Sequence, residues 1–135
     1  MESRSDKICS LIDDIVLGSD TPDVAARLEE ADVRVTGAAV ESFAAIANQL
    51  GGEPEIHRQL AVVITSLVQS PYPGGALINF HRYVETVGVS TTFLNTLAGA
   101  EPLREILATV FGSSQYMADI IIRNPGYLYC CLLYT

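Results

Sequence analysis

Apolar residues return along this chain every three or four positions, and glycine or proline interrupts the pattern every dozen or so residues. Side chains at that spacing line one face of an α-helix, whereas a half-buried strand needs strict alternation. Each interruption ends a helix well short of the length of a coiled coil or a membrane span. The sequence therefore predicts an all-α fold of short helices, either stacked as helical hairpins in a HEAT-like manner or gathered in an irregular bundle. With 135 residues, 49% of them hydrophobic and 18% charged, the chain has the apolar content for one core, and residues 1–135 are expected to form a single helical domain.

The elements can be placed in order. Ile8, Leu11, Ile12, Ile15 and Val16 predict a first helix over 6–17, ended by Gly18. Asp20-Thr21-Pro22 supplies an N-cap and a first-turn proline for a second, striped by Val24, Ala25 and Leu28. Residues 31–35 read as a connector. Thr36 caps a third helix that turns Val40, Phe43, Ala44, Ala47 and Leu50 inward and stops at Gly51-Gly52. Glu53-Pro54-Glu55 opens a fourth, running to Gln69, with acids in the first turn where the helix dipole favours them. Its Ile56, Leu60, Val63, Ile64, Leu67 and Val68 should place it at the centre of the core.

Ser70-Pro71-Tyr72-Pro73-Gly74-Gly75 is the clearest breaker, a subdivision point near 70–75 that is too short to link separate domains. Helices over 76–87, 90–98, 102–111 and 114–123 follow, with a last one from Gly126. Gly112 reads as the end of one helix and Ser113 or Ser114 as the cap of the next. Asp119 and Arg123, four residues apart, read as an ion pair along it, and Pro125 as its stop.

Composition and motifs exclude several functions. The net charge of −8 opposes non-specific binding to nucleic acid, which needs clustered Lys and Arg to displace counterions. No apolar run reaches the ~20 residues that span a bilayer, and no signal-like core follows the N-terminus, so the expected location is the cytoplasm. Three cysteines, two of them the neighbours Cys130 and Cys131, do not make a disulfide framework. There is no Gly-x-Ser-x-Gly elbow, no phosphate-binding Gly-Lys-Ser/Thr loop, and no His or Cys at metal-ligand spacing.

His57 beside Arg58 and His81 beside Arg82 read as solvated or surface-bonded, and Asp13-Asp14 and Glu29-Glu30 as solvated faces. Arg82 and Arg123 are the cations expected to be partly buried, tying helices together through carboxylates or helix C-termini. Gly112-Ser113 would suit a triphosphate only with an Asp-x-Asp pair for two Mg²⁺ downstream, and the chain contains no Asp-x-Asp. No catalytic, cofactor-binding or metal-binding residue is predicted. The last residues, Tyr127 to Thr135, are apolar nearly all round, which predicts either a segment of a longer protein or an end that packs into a homo-oligomer.

Two stretches go beyond generic helix. From Ser70 to Tyr83 the chain follows S-x-x-P-x-x-A-L-x-N-x-x-R-F, supplying Ala76, Leu77, Asn79 and Arg82, with Tyr83 in the aromatic slot. From Val110 to Leu128 it follows L-F-G-x-S-x-x-L-A-D-x-L-x-R-x-P-E-x-L, supplying Phe111, Gly112, Ser114, Ala118, Asp119, Arg123, Pro125 and Leu128. Val110 and Met117 replace leucines, and Gly126 replaces the acid. In order and spacing, about half of the chain resembles the glutamine synthetase adenylyltransferases.

The resemblance implies an all-helical region preceding the first of two nucleotidyltransferase domains. In that family one domain moves AMP from ATP to a tyrosine of glutamine synthetase and the other removes it by phosphorolysis, under the control of glutamine and the PII signal protein. ATP and Mg²⁺ would serve those domains, and glutamine synthetase and PII would be partners of the whole enzyme. The Gly-Ser and Asp-x-Asp catalytic residues would lie outside this sequence, leaving this chain as non-catalytic scaffold or regulatory surface. The other reading is a free-standing helical protein-interaction module.

Overall fold

The computed structural model describes residues 3–16, 24–33, 35, 37–50, 54–88, 91–124 and 126. Among them stand eight helices and no strand: α1 (Arg4–Val16), α2 (Val24–Glu30), α3 (Ala38–Leu50), α4 (Pro54–Val68), α5 (Pro73–Val87), α6 (Thr91–Gly99), α7 (Glu101–Ser113) and α8 (Gln115–Arg123). No described helix is long and apolar enough to cross a membrane.

Helix α4 occupies the centre, as its apolar content predicts. Ile56, Leu60, Val63, Ile64, Leu67 and Val68 are all buried, and α4 packs against α1, α3, α5, α6 and α7. A helix so apolar has to be covered on several sides, and burying each large aliphatic side chain stabilises the fold by about 1.5–3 kcal/mol before the cost of ordering it. Helix α5 forms the second axis, between α3, α7 and α8. The main partnerships skip along the chain, α1 on α4, α3 on α5 and α5 on α7, while neighbours in sequence touch less. The arrangement is thus a bundle wound around α4 and α5 and not a row of stacked hairpins. Short α2 explains part of this: it buries only Leu28, with Ala25 exposed, and cannot serve as half of a hairpin.

Three expectations need correction. Helix α3 turns Ala39, Ser42, Phe43, Ile46 and Ala47 inward, and Val40, Ala44 and Leu50 are only half-buried. The side of α3 with Ala39 lets α5 approach closely; a methyl group placed on Gly74 would stand 3.4 Å from the Ala39 Cβ. Helix α5 starts at Pro73, three residues earlier than expected. Proline at N1 has no amide to leave unpaired, and the Tyr72 carbonyl already accepts from the Ala76 amide at 2.9 Å. Helix α7 does not end at Gly112 but runs through it to Ser113.

Other boundaries agree with the local chemistry. Gly88 closes α5 in the left-handed region, φ 73°, donating its amide to the Val84 carbonyl. Ser114 caps α8 by accepting the Met117 amide at 3.2 Å. After α2 the chain turns through Asp32 at φ 64°, and Arg4 holds that turn by donating to the Ala31 carbonyl and the Asp32 carboxylate. The expected breakers Gly18 and Gly51-Gly52, the caps Asp20, Thr21 and Thr36, the prolyl stop Pro125 and the segment 127–135 lie outside the described residues.

Candidate functional site

The two sequence stretches meet where α5, α7 and α8 come together. Tyr83 of α5 is buried, its ring centroid 5.9 Å from that of Phe111 on α7 and 6.1 Å from that of Phe93 on α6. Tilted aromatic pairs at such spacing add about 0.5–1.5 kcal/mol beyond the area they bury. Gly112 lies beside Ser70, and its carbonyl accepts the Tyr72 amide at 2.9 Å. A Cβ on Gly112 would stand 2.3 Å from the Ser70 Cβ, so only glycine fits there. Ala76 and Leu77, fully buried, fill the same junction.

Above this apolar floor lies a polar join. Asn79 is buried, and its Nδ2 donates to the Phe111 carbonyl at 2.9 Å and to Gln115 Oε1 at 3.3 Å. Its Oδ1 accepts from Gln115 Nε2 at 3.1 Å and from Arg82 at 3.2 Å. Arg82 donates in turn to the Asp119 carboxylate at 2.8 Å, and Gln115 Nε2 reaches the same oxygen at 3.0 Å. The order of the helices dictates the connection: Asn79 and Arg82 are one turn apart on α5, and Gln115 and Asp119 one turn apart on α8. Hydrogen bonds from Arg82 and then Gln115 hold the Asp119 carboxyl below its ordinary value of 3.8.

This geometry revises the ion pair read from spacing. Asp119 is bound by Arg82 across helices and not by Arg123, which adds only a weaker attraction at longer range. Neither arginine is deeply buried: the Arg82 side chain is 44% exposed and Arg123 is exposed. Gln115, overlooked in the sequence, is the fourth member of the join. Its only signal is a place four residues before Asp119 in a helix first turn.

Chemically the join is spent on itself. The carboxylate is held by Arg82 and Gln115, and Arg82 Nη1 is shared between Asn79 and Asp119, which suits a structural tie better than a general base. A small cavity of about 280 Å³ opens beside it between Tyr72 and Ser113. Gly112, buried within α7, offers no exposed phosphate cradle. Among the described residues no group of three His, Cys, Asp or Glu side chains is placed to hold a metal ion.

One other polar side chain departs from expectation, and Arg104 adds a tie that the sequence reading did not include. His57 is 4% exposed, its Nδ1 against the Asp13 carboxylate, so it belongs to the α1–α4 interface and not to a solvated face; Asp13 is likewise engaged. Arg104 stands in the first turn of α7, where a cation opposes that helix's dipole. It serves α6 instead, donating to the carbonyls of Leu97 and Ala98 at that helix's end and to Ser66 of α4. His81 is half-buried, with its Nε2 2.9 Å from the Glu85 carboxylate. The Cys9 thiol is pushed up by burial first and then by Asp13, the reverse of what activates a nucleophile.

Comparison with known proteins gives one relation. The chain is 27% identical over 88 residues to the bifunctional glutamine synthetase adenylyltransferase/adenylyl-removing enzyme of Mycobacterium leprae; these residues are 64% of this chain and 9% of that enzyme. The chain therefore spans a small part of the relative it matches, and the similarity is distant. No family model matches the chain. No solved structure matches it.

Proposed function

We propose that this chain is a non-catalytic helical part of a protein related to the glutamine synthetase adenylyltransferases, holding other parts of such an enzyme or its protein partners in place. The observation that carries the reading is the polar join. Asn79 and Arg82 come from one stretch that resembles the family and Asp119 from the other, and they meet side by side at one helix junction. A chance likeness in two separate stretches has no reason to converge there. The distant similarity to the Mycobacterium leprae enzyme supports the same reading.

The described side chains support a scaffold and not a reaction centre. The Asp119 carboxylate is engaged, the Cys9 thiol is held protonated, and the sequence has no Asp-x-Asp pair to hold two Mg²⁺. ATP, Mg²⁺, glutamine synthetase and a PII-type regulator belong in this proposal to the larger enzyme. Incubating the isolated chain with ATP, Mg²⁺ and glutamine synthetase should yield no AMP-modified tyrosine by mass spectrometry. Clear transfer by the isolated chain would overturn the non-catalytic reading.

A further inference from the structure

A groove of about 510 Å³ runs between the C-terminal half of α4 and the exposed side of α7, and the join between α5 and α8 has no part in it. Its walls are of two kinds. Val62, Pro71 and Ala108 give apolar surface, while Gln69, Glu101 and Glu105 bring amide and carboxylate groups to the opening. The carbonyl end of α4, the negative end of its dipole, lies along the same groove at Gln69 and Ser70.

Among the described residues, no ion pair takes up the carboxylates of this groove: Arg4, Arg27, Arg58 and Arg82 pair with carboxylates elsewhere, Lys7 donates to the Glu30 carbonyl, and Arg123 closes α8, where it attracts Asp119. Arg104 lines the groove, but its guanidinium is drawn inward to the α6 carbonyls and Ser66. Glu101 and Glu105, one turn apart and both exposed, are left facing solvent.

An occupant must bring positive charge at the end of an apolar stem. Arginine and lysine side chains are built that way, with methylenes that lie on apolar surface and a charged head that reaches carboxylates. We propose that this groove seats an extended segment of a protein partner through its arginine or lysine side chains. The groove exists whichever family the chain belongs to, so the proposal stands apart from the functional reading above.

The test is a two-dimensional amide NMR titration of the whole chain with the capped peptide Gly-Ser-Arg-Gly-Arg-Ser-Gly. A control peptide carries citrulline, the uncharged isostere, at both arginines. Shifts are expected around Ser66, Gln69, Glu105 and Thr109, with the citrulline peptide producing none. The variant Glu101→Gln/Glu105→Gln should weaken binding about tenfold, the loss expected when two partly exposed charge pairs are removed. Glu29→Gln/Glu30→Gln, which removes the same charge from α2, should leave binding unchanged. Equal weakening by both double variants, equal binding of the citrulline peptide, or no binding by roughly 1 mM, a free energy of about −4 kcal/mol, would overturn the proposal. Groove shifts on raising the protein concentration alone would make a second copy of the chain the occupant and would also overturn it.

Discussion

A methyl group on Gly112 would stand 2.0 Å from the hydroxyl oxygen of Ser70, in a contact between the end of α7 and the turn that follows α4. Gly112→Ala should therefore destabilise the fold even though alanine is the better helix former. Overpacking of this kind costs about 1–3 kcal/mol. Chemical denaturation would read it, and the cost should shrink when Ser70→Gly is added, because the two positions share one contact. An unchanged or raised midpoint for Gly112→Ala would contradict the packing.

The join between α5 and α8 should be unequal in its parts. Asn79 is buried and satisfies the Phe111 carbonyl, so Asn79→Ala leaves polar groups unpaired and should cost about 1–3 kcal/mol. Arg82→Ala breaks a pair that is partly open to water and should cost less, with a loss that salt diminishes. Urea unfolding of both variants at low and high salt checks the order. A larger loss for Arg82→Ala would place the strength of the join in the ion pair instead.

The acid side of the stability profile follows from Asp119. Its carboxyl is held below 3.8 in the folded chain, so the stabilisation it brings is complete above that value and is lost as pH falls through the lower folded value. Amide signals of α8 should follow the Asp119 titration, with a midpoint below pH 3.8. In Arg82→Ala the carboxyl should titrate closer to its ordinary value. Identical titrations in the two proteins would mean that Arg82 does not hold Asp119 in solution.

His57 joins α4 to α1 from a buried position, with Asp13 against its Nδ1. Truncation to alanine removes the packing and the hydrogen bond together, and a loss on the order of 2 kcal/mol is expected. Asp13→Ala should cost less than His57→Ala, since the Asp13 side chain is 48% exposed and gives up less packing. Thermal unfolding by circular dichroism distinguishes these outcomes, and a neutral His57→Ala would return His57 to the solvated surface.

These residues also show how far the sequence could be read. Helix α4 was legible because so many of its positions are aliphatic that any orientation buries them. Helix α3 was legible as a helix, with Phe43 and Ala47 inward, but its full buried face was not, because alanines surround it and apolar spacing cannot choose among its faces; the approach of α5 does. Gly112 follows a local rule in the sequence, that glycine ends helices, which a tertiary contact overrides. Asp119 has a plausible partner four residues away in Arg123, while the one it takes is 37 residues away. The Asp13 partner of His57 is 44 residues away, beyond anything that local spacing reports.

The central claim, that this chain corresponds to a helical part of an adenylyltransferase-like enzyme, is tested most directly by exchange. The matched 88-residue segment of the Mycobacterium leprae enzyme would be replaced by its counterpart from this chain, and AMP transfer to glutamine synthetase measured. The account predicts a folded chimera that retains transfer, with a loss of transfer when Asn79→Ala and Arg82→Ala are introduced together. A folded chimera with no transfer would contradict the claim and favour a free-standing helical interaction module.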